Sequence, residues 1–222
     1  ITNTSYTKEH ASKFGEIVIQ DSGGRMKPAN TFSSELLRKV SRSNSYNGLN
    51  SDPSDIVVTA AGGLVGEVVQ VWKPKQLNTF ETEWGFSCMG YEISGALGIK
   101  MAKPEQDVVV FVGDGSYLLN NTDIYSSVIY DQKLIIIVCD NGGHMVINRL
   151  QLAKGGKEYI CNLRAARATN LKFVDFENHA KSMGANAETV SSTSELEAAY
   201  KRAKDSDKTY VITIKTHGYE WL

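Results

Sequence analysis

Two short runs of this sequence combine hard oxygen donors with glycine. Gly113-Asp114-Gly115-Ser116 follows the apolar stretch 108–112, and Asp140-Asn141-Gly142-Gly143 follows the apolar stretch 134–139. Asp114 offers an anionic oxygen and Asn141 an amide oxygen, while the glycines leave main-chain carbonyls open to approach. Oxygen ligands of this kind suit Mg²⁺ or Ca²⁺, with water and phosphate oxygens filling the remaining positions. Gly113 and Gly115 let the backbone come close to a bulky anion. Ser116 has a hydroxyl and an amide for a phosphate, and a helix N-terminus just downstream would add its field. Asn120 with Asp123 three residues on resembles a capping box with Asp in place of Glu. Taken singly, each run is a common turn. Two of them at adjacent strand ends, both carrying metal-type oxygens, point to a ligand site.

The elements that must hold these runs are legible from periodicity. Apolar runs at 56–60, 108–112, 134–139, 187–190 and 210–215 read as strands. Helices are expected over 90–102, 122–131, 176–183 and 194–203, with a less regular stretch over 142–170. Strands that are apolar throughout and alternate with helices predict an α/β fold, three layers (αβα) around a central, mainly parallel sheet. In such sheets ligands sit outside the carboxyl ends of the strands, where Asp114 and Asn141 fall. Residues 1–52 are polar and uneven, with one short helix expected at 31–40 and a turn at 21–24. They read as an extension or linker before a domain spanning 53–222.

Composition sets bounds. With 222 residues and 41% hydrophobic content, the chain can bury one sizeable core. A net charge of -1 argues against a nucleic-acid partner. Cys88, Cys139 and Cys161 form no CxxC pair, so neither a zinc site nor a disulfide framework is expected, and a cytoplasmic setting fits. There is no membrane-length apolar run and no signal peptide. The chain opens on Ile1, which suggests a fragment or a processed protein.

Gly113-Asp114-Gly115 with Asn141 downstream resembles the cofactor motif of the thiamine diphosphate enzymes. The resemblance implies that Asp114, Asn141 and the Gly143 carbonyl hold Mg²⁺, and that Mg²⁺ holds the cofactor's diphosphate. Gly113, Gly115 and Ser116 would meet the diphosphate, and Gly62 and Gly63 would lie near it. The block Glu83–Gly98 is similar to the segment that bends the cofactor. Met89 would be the apolar wedge and the Ser87 carbonyl would meet the exocyclic amine. His144, directly after the metal turn, would approach substrate or diphosphate, although a solvent-exposed role fits equally. Residues 60–68, 83–98 and 140–151 are similar to the trihydroxycyclohexane-1,2-dione hydrolases of inositol catabolism, which open a cyclic dione to 5-deoxyglucuronate. The segment 143–149 and the Gly- and Lys-rich stretch after Leu152 depart from that pattern, where substrate would sit.

The same resemblance implies a missing part. In this family the cofactor is activated by a glutamate of a pyrimidine-binding domain, usually contributed by a second subunit. Neither that domain nor the middle domain has a match here, so no catalytic residue is assigned to this chain, and by itself it should turn nothing over. The partners expected are that domain and a small-molecule substrate. Three other readings remain. Ala61–Gly66 with Glu81 or Glu83 is a weak nicotinamide-type fingerprint. Within the resembled family, an acetolactate synthase-like carboligase or a 2-oxo acid decarboxylase is the alternative. A non-catalytic cofactor-binding subunit is the third.

Overall fold

The computed structural model of the chain describes residues 18–20, 26–28, 54–74, 76–83, 85–167, 170 and 173–216. The helix expected at 31–40 and the turn at 21–24 lie outside these residues. The chain divides into two compact units, one of Ile1–Leu49 with Gln70–Trp72 and one of Asn50–Val69 with Lys73–Leu222. In the first, β1 (Val18–Gln20) and β2 (Met26–Pro28) pair antiparallel.

The second unit is built on a six-stranded sheet. In chain order its strands are β3 (Ile56–Thr59), β4 (Phe80–Thr82), β5 (Val108–Gly113), β6 (Ile135–Asp140), β7 (Asn186–Val190) and β8 (Tyr210–Lys215). Their spatial order is β4-β3-β5-β6-β8-β7, and every neighbouring pair is parallel. From β3 the chain moves outward to β4, then returns past β3 to start β5. That reversal opens a crevice between the carboxyl ends of β3 and β5.

The central strands are apolar throughout because both faces are covered. On one face Ile56, Val58, Val110, Ile136, Val138 and Val211 form a single cluster with side chains from the helices α2 (Tyr91–Ala102), α4 (Thr122–Ile129) and α6 (Phe176–Ser182). The alternate residues Val57, Val109, Ile135, Ile137 and Ile212 are buried on the other face, where α7 (Thr193–Asp205) brings Ala199 and Ala203. The remaining helices are α1 (Gly62–Val71), the short α3 (Asp114–Leu119) and α5 (Met145–Ala153). The sheet is tied at the amino ends of its strands by Lys204, which meets Asp55 at 2.7 Å and Asp107 at 2.8 Å, well away from the two glycine turns.

Several features differ from the sequence reading, among them the helices α1 and α3, which were not in the expected set. The stretch expected to be irregular contains α5, whose apolar spacing is masked by the glycines at 142–143 and 155–156 on either side. The three-residue edge strand β4 is too short to leave a periodic signal. Asn120 and Asp123 do not form a capping box. The Asn120 amide donates to Ser94 Oγ at 2.8 Å, Asp123 accepts from Ser94 and Ser126, and α4 starts from Asn121 without a side-chain cap. Tying α4 to α2 takes precedence over closing the helix end. His179 also gains a partner not visible in sequence: its Nδ1 lies 2.9 Å from the Tyr117 hydroxyl in the core.

Ile136 lies fully buried in the middle of this sheet. Ile136→Ala is expected to lower unfolding free energy by about 2–5 kcal/mol in urea denaturation, through lost transfer energy and the cavity left behind.

Candidate functional site

The two glycine turns meet at the carboxyl edge of β5 and β6, which run in register with Gly113 opposite Cys139. Asp114 is 4% exposed. Its Oδ2 accepts the Gly143 N–H at 2.6 Å and the Gly142 N–H at 3.1 Å, so the first turn grips the backbone of the second. Gly142 N–H is shared with Asp140 Oδ1 at 3.1 Å, and Lys215 pairs with the other oxygen of Asp140.

The second turn requires its glycines. Gly142 and Gly143 have φ of 84° and 137°, in the region that favours glycine. A side chain at Gly143 would collide with the Cys161 carbonyl. That close approach comes from residues 161–163 folding back on the turn: Gly143 bridges to Asn162, and Leu163 N–H donates to Gly142 O at 3.0 Å. Below them Glu158 accepts from the buried amides of Asn148 (3.0 Å) and Asn162 (3.2 Å). The stretch after Leu152 thus braces the turn.

The amide of Asn141 faces Gly143 O at 2.8 Å and Asp114 Oδ1 at 3.3 Å. With nitrogen inward it donates to both. With oxygen inward, three oxygens confront one another, which is repulsive unless a cation lies among them. The donor set is a carboxylate, an amide oxygen and a main-chain carbonyl, the chemistry a hard divalent cation takes. These residues therefore fit Mg²⁺.

All eleven residues singled out from sequence line one cavity of about 290 Å³: Gly62, Gly63, Ser87, Met89, Gly113, Asp114, Gly115, Ser116, Asn141, Gly143 and His144. The amino ends of α1 and α5 both open into it, and unpaired N–H groups at helix starts favour an anion. The sequence reading missed the apolar half of the lining, Leu64 and Met145–Ile147. Met145–Ile147 belong to α5, so recognising that helix would have found them. Ser116, read from sequence as a phosphate donor, is 3% exposed, and its Oγ donates to Glu92 Oε1 at 2.8 Å. The His144 ring lies over Gly115, where an added Cβ would come within 2.5 Å of it. Arg167 lies over the Tyr159 ring, 6.0 Å from its centroid, and is not part of the cavity lining. Glu83, weighed as a ribose contact, instead orders its own loop by accepting the N–H groups of Phe86 (3.0 Å) and Cys88 (2.9 Å).

Comparison with known proteins adds the following. Residues 60–214 match the family model described as thiamine pyrophosphate enzyme, C-terminal TPP binding domain. A 3D-(3,5/4)-trihydroxycyclohexane-1,2-dione hydrolase of Halalkalibacterium halodurans is 38% identical over 76% of this chain and 27% of its own length. One of Listeria monocytogenes serotype 4b is 33% identical over 95% of this chain and 32% of its own length. The chain thus spans about a third or less of these relatives. In structure it is similar to a thiamine diphosphate-dependent 4-hydroxybenzoylformate decarboxylase of Rhodococcus jostii, with TM-score 0.66 and 19% identity, over 91% of this chain and 34% of that one. No helix among the described residues is long and apolar enough to cross a membrane.

Burial, with the nearby Asp140 charge second, pushes the Asp114 carboxyl up to about 6, against the lowering effect of the glycine N–H groups. The folded state therefore holds this proton more tightly than the unfolded chain. The associated stability is fully present below about pH 4 and is lost as pH rises through 6. In chelator-treated buffer, the wild-type chain should lose about 2 kcal/mol relative to Asp114→Asn between pH 4 and pH 7. Urea denaturation across that range checks it; parallel pH profiles would count against it.

Proposed function

We propose, from the premise that this chain belongs to the thiamine pyrophosphate enzymes, that it forms the Mg²⁺- and diphosphate-binding part of a C–C bond hydrolase acting on a trihydroxycyclohexane-1,2-dione. The metal part of the reading is carried by the Asn141 amide confronting Gly143 O and Asp114 Oδ1. The substrate part is supported by the names of the relatives at 33–38% identity.

Asp114, Asn141 and the Gly143 carbonyl would hold Mg²⁺. The backbones of Gly62, Gly63, Gly113, Gly115 and Ser116, with the amino ends of α1 and α5, would take the diphosphate. Met89 and the Ser87 carbonyl would shape and orient the organic part. His144, at the exposed rim over Gly115, would stand near the substrate. Bound thiamine diphosphate supplies a nucleophilic carbon and an electron sink for breaking a C–C bond, and the protein supplies orientation and field. Leu64, Met145 and Val146, with the more exposed Ile147, would give the cavity its apolar wall.

The activating glutamate would come from a pyrimidine-binding domain of a second subunit, so residues 1–222 alone should be inert. Leu118, Leu119, Tyr125 and Ile129 on α3 and α4 are exposed, an apolar surface suited to such a domain.

An enzyme of the relatives' full length carrying this chain should hydrolyse the cyclic dione in an Mg²⁺-dependent assay, and Asp114→Ala should lower kcat/KM by about 100-fold or more. Turnover of pyruvate in place of the dione would favour the carboligase or decarboxylase reading. Turnover by residues 1–222 alone would overturn the need for a second domain.

A further inference from the structure

Glu92 is the one acidic residue of α2. It is 1% exposed, in the first turn of α2, beside Ile93, Ala96 and Leu97. Among the described residues no cationic side chain pairs with it. A buried carboxyl without an ion-pair partner is costly unless its oxygens are taken up by hydrogen bonds. Glu92 has three donors. Oε2 accepts the Gly90 N–H at 2.9 Å. Oε1 accepts the Ser116 hydroxyl at 2.8 Å and the Ala61 N–H at 3.4 Å. Ser116 Oγ in turn accepts from Gly90 N–H at 3.1 Å.

These donors sit on three separate connections. Ala61 lies between β3 and α1, Gly90 between β4 and α2, and Ser116 just after β5. Ala61 and Ser116 line the cavity, as does Met89 next to Gly90. Gly90 has φ of 95°, a turn that leaves its N–H pointing back to the carboxyl that follows it. One side chain thus fixes the spacing of the β3 turn, the Met89 loop and the Gly-Asp-Gly-Ser turn.

We propose that Glu92 is a positioning residue of this cavity, holding its three loops in register and keeping the Ser116 hydroxyl turned away from the ligand. The holding role stands whatever the ligand is. Its consequence for a diphosphate, which would then meet main-chain N–H groups and not the Ser116 hydroxyl, rests on the function proposed above.

The test compares Glu92→Gln and Ser116→Ala with wild type. Glu92→Gln keeps the shape but replaces one acceptor oxygen by a donor. Amide hydrogen exchange on the chain should speed up by about tenfold or more at Ala61 and Gly90 in Glu92→Gln, while the amides of β5 and β6 keep their protection. Unchanged exchange at Ala61 and Gly90 would overturn the holding role. Equal loss of protection across β5 and β6, or failure to fold, would also overturn it by making Glu92 a general core residue. In the full-length enzyme, affinity for thiamine diphosphate should fall by about tenfold in Glu92→Gln and by less than about threefold in Ser116→Ala. Equal losses would mean that the hydroxyl touches the ligand and would refute that part. Absence of cofactor binding by the wild-type enzyme would remove the proposed function, and the exchange result would still decide the role of Glu92.

Discussion

The site depends on one carboxylate gripping a neighbouring turn. Asp114 Oδ2 takes the N–H groups of Gly142 and Gly143, so the end of β5 holds the backbone that follows β6. That grip leaves Oδ1 3.3 Å from the Asn141 amide, which also faces the Gly143 carbonyl. The surroundings serve the same contact. The sheet register sets the two turns side by side, Asn162 and Leu163 support Gly142 and Gly143 from below, and Lys215 engages Asp140 so that the adjacent acid is paired.

The arrangement carries electrostatic tension. Asp114 is buried, lies near a second carboxylate, and faces an amide that can present either oxygen or nitrogen. Glycine N–H donors ease part of this. A divalent cation would ease the rest and would also settle the orientation of the Asn141 amide, because only oxygen can coordinate. The function proposed above accounts for this cluster by a cation and an anionic group bound here. The amino ends of α1 and α5 supply the complementary field for that anion.

Much of this was legible in the sequence, and for identifiable reasons. The runs at 108–112 and 134–139 are apolar throughout because both faces of the sheet are covered, and the glycine turns that end them contain the donors. Every residue singled out for the site lies on one cavity. What escaped depended on tertiary partners or on masked periodicity. The helix α5 is hidden between two glycine pairs, the bracing of Gly143 by residues 161–163 joins segments that no local pattern connects, and the Ser116 proton goes to Glu92 across twenty-four residues. The lone acid of the 90–102 helix was the available signal for that last contact. Asn120 and Asp123 looked like a local cap because sequence spacing cannot reveal that Ser94 competes for both.

The central claim is that Asp114, Asn141 and Gly143 hold a divalent cation that in turn holds a diphosphate. Calorimetric titration of the full-length enzyme with thiamine diphosphate, with and without Mg²⁺, in wild type and Asp114→Ala, tests it most directly. Binding that requires Mg²⁺ and is lost in the variant is the expected result. Binding of equal strength without Mg²⁺, or undiminished in Asp114→Ala, would contradict the account.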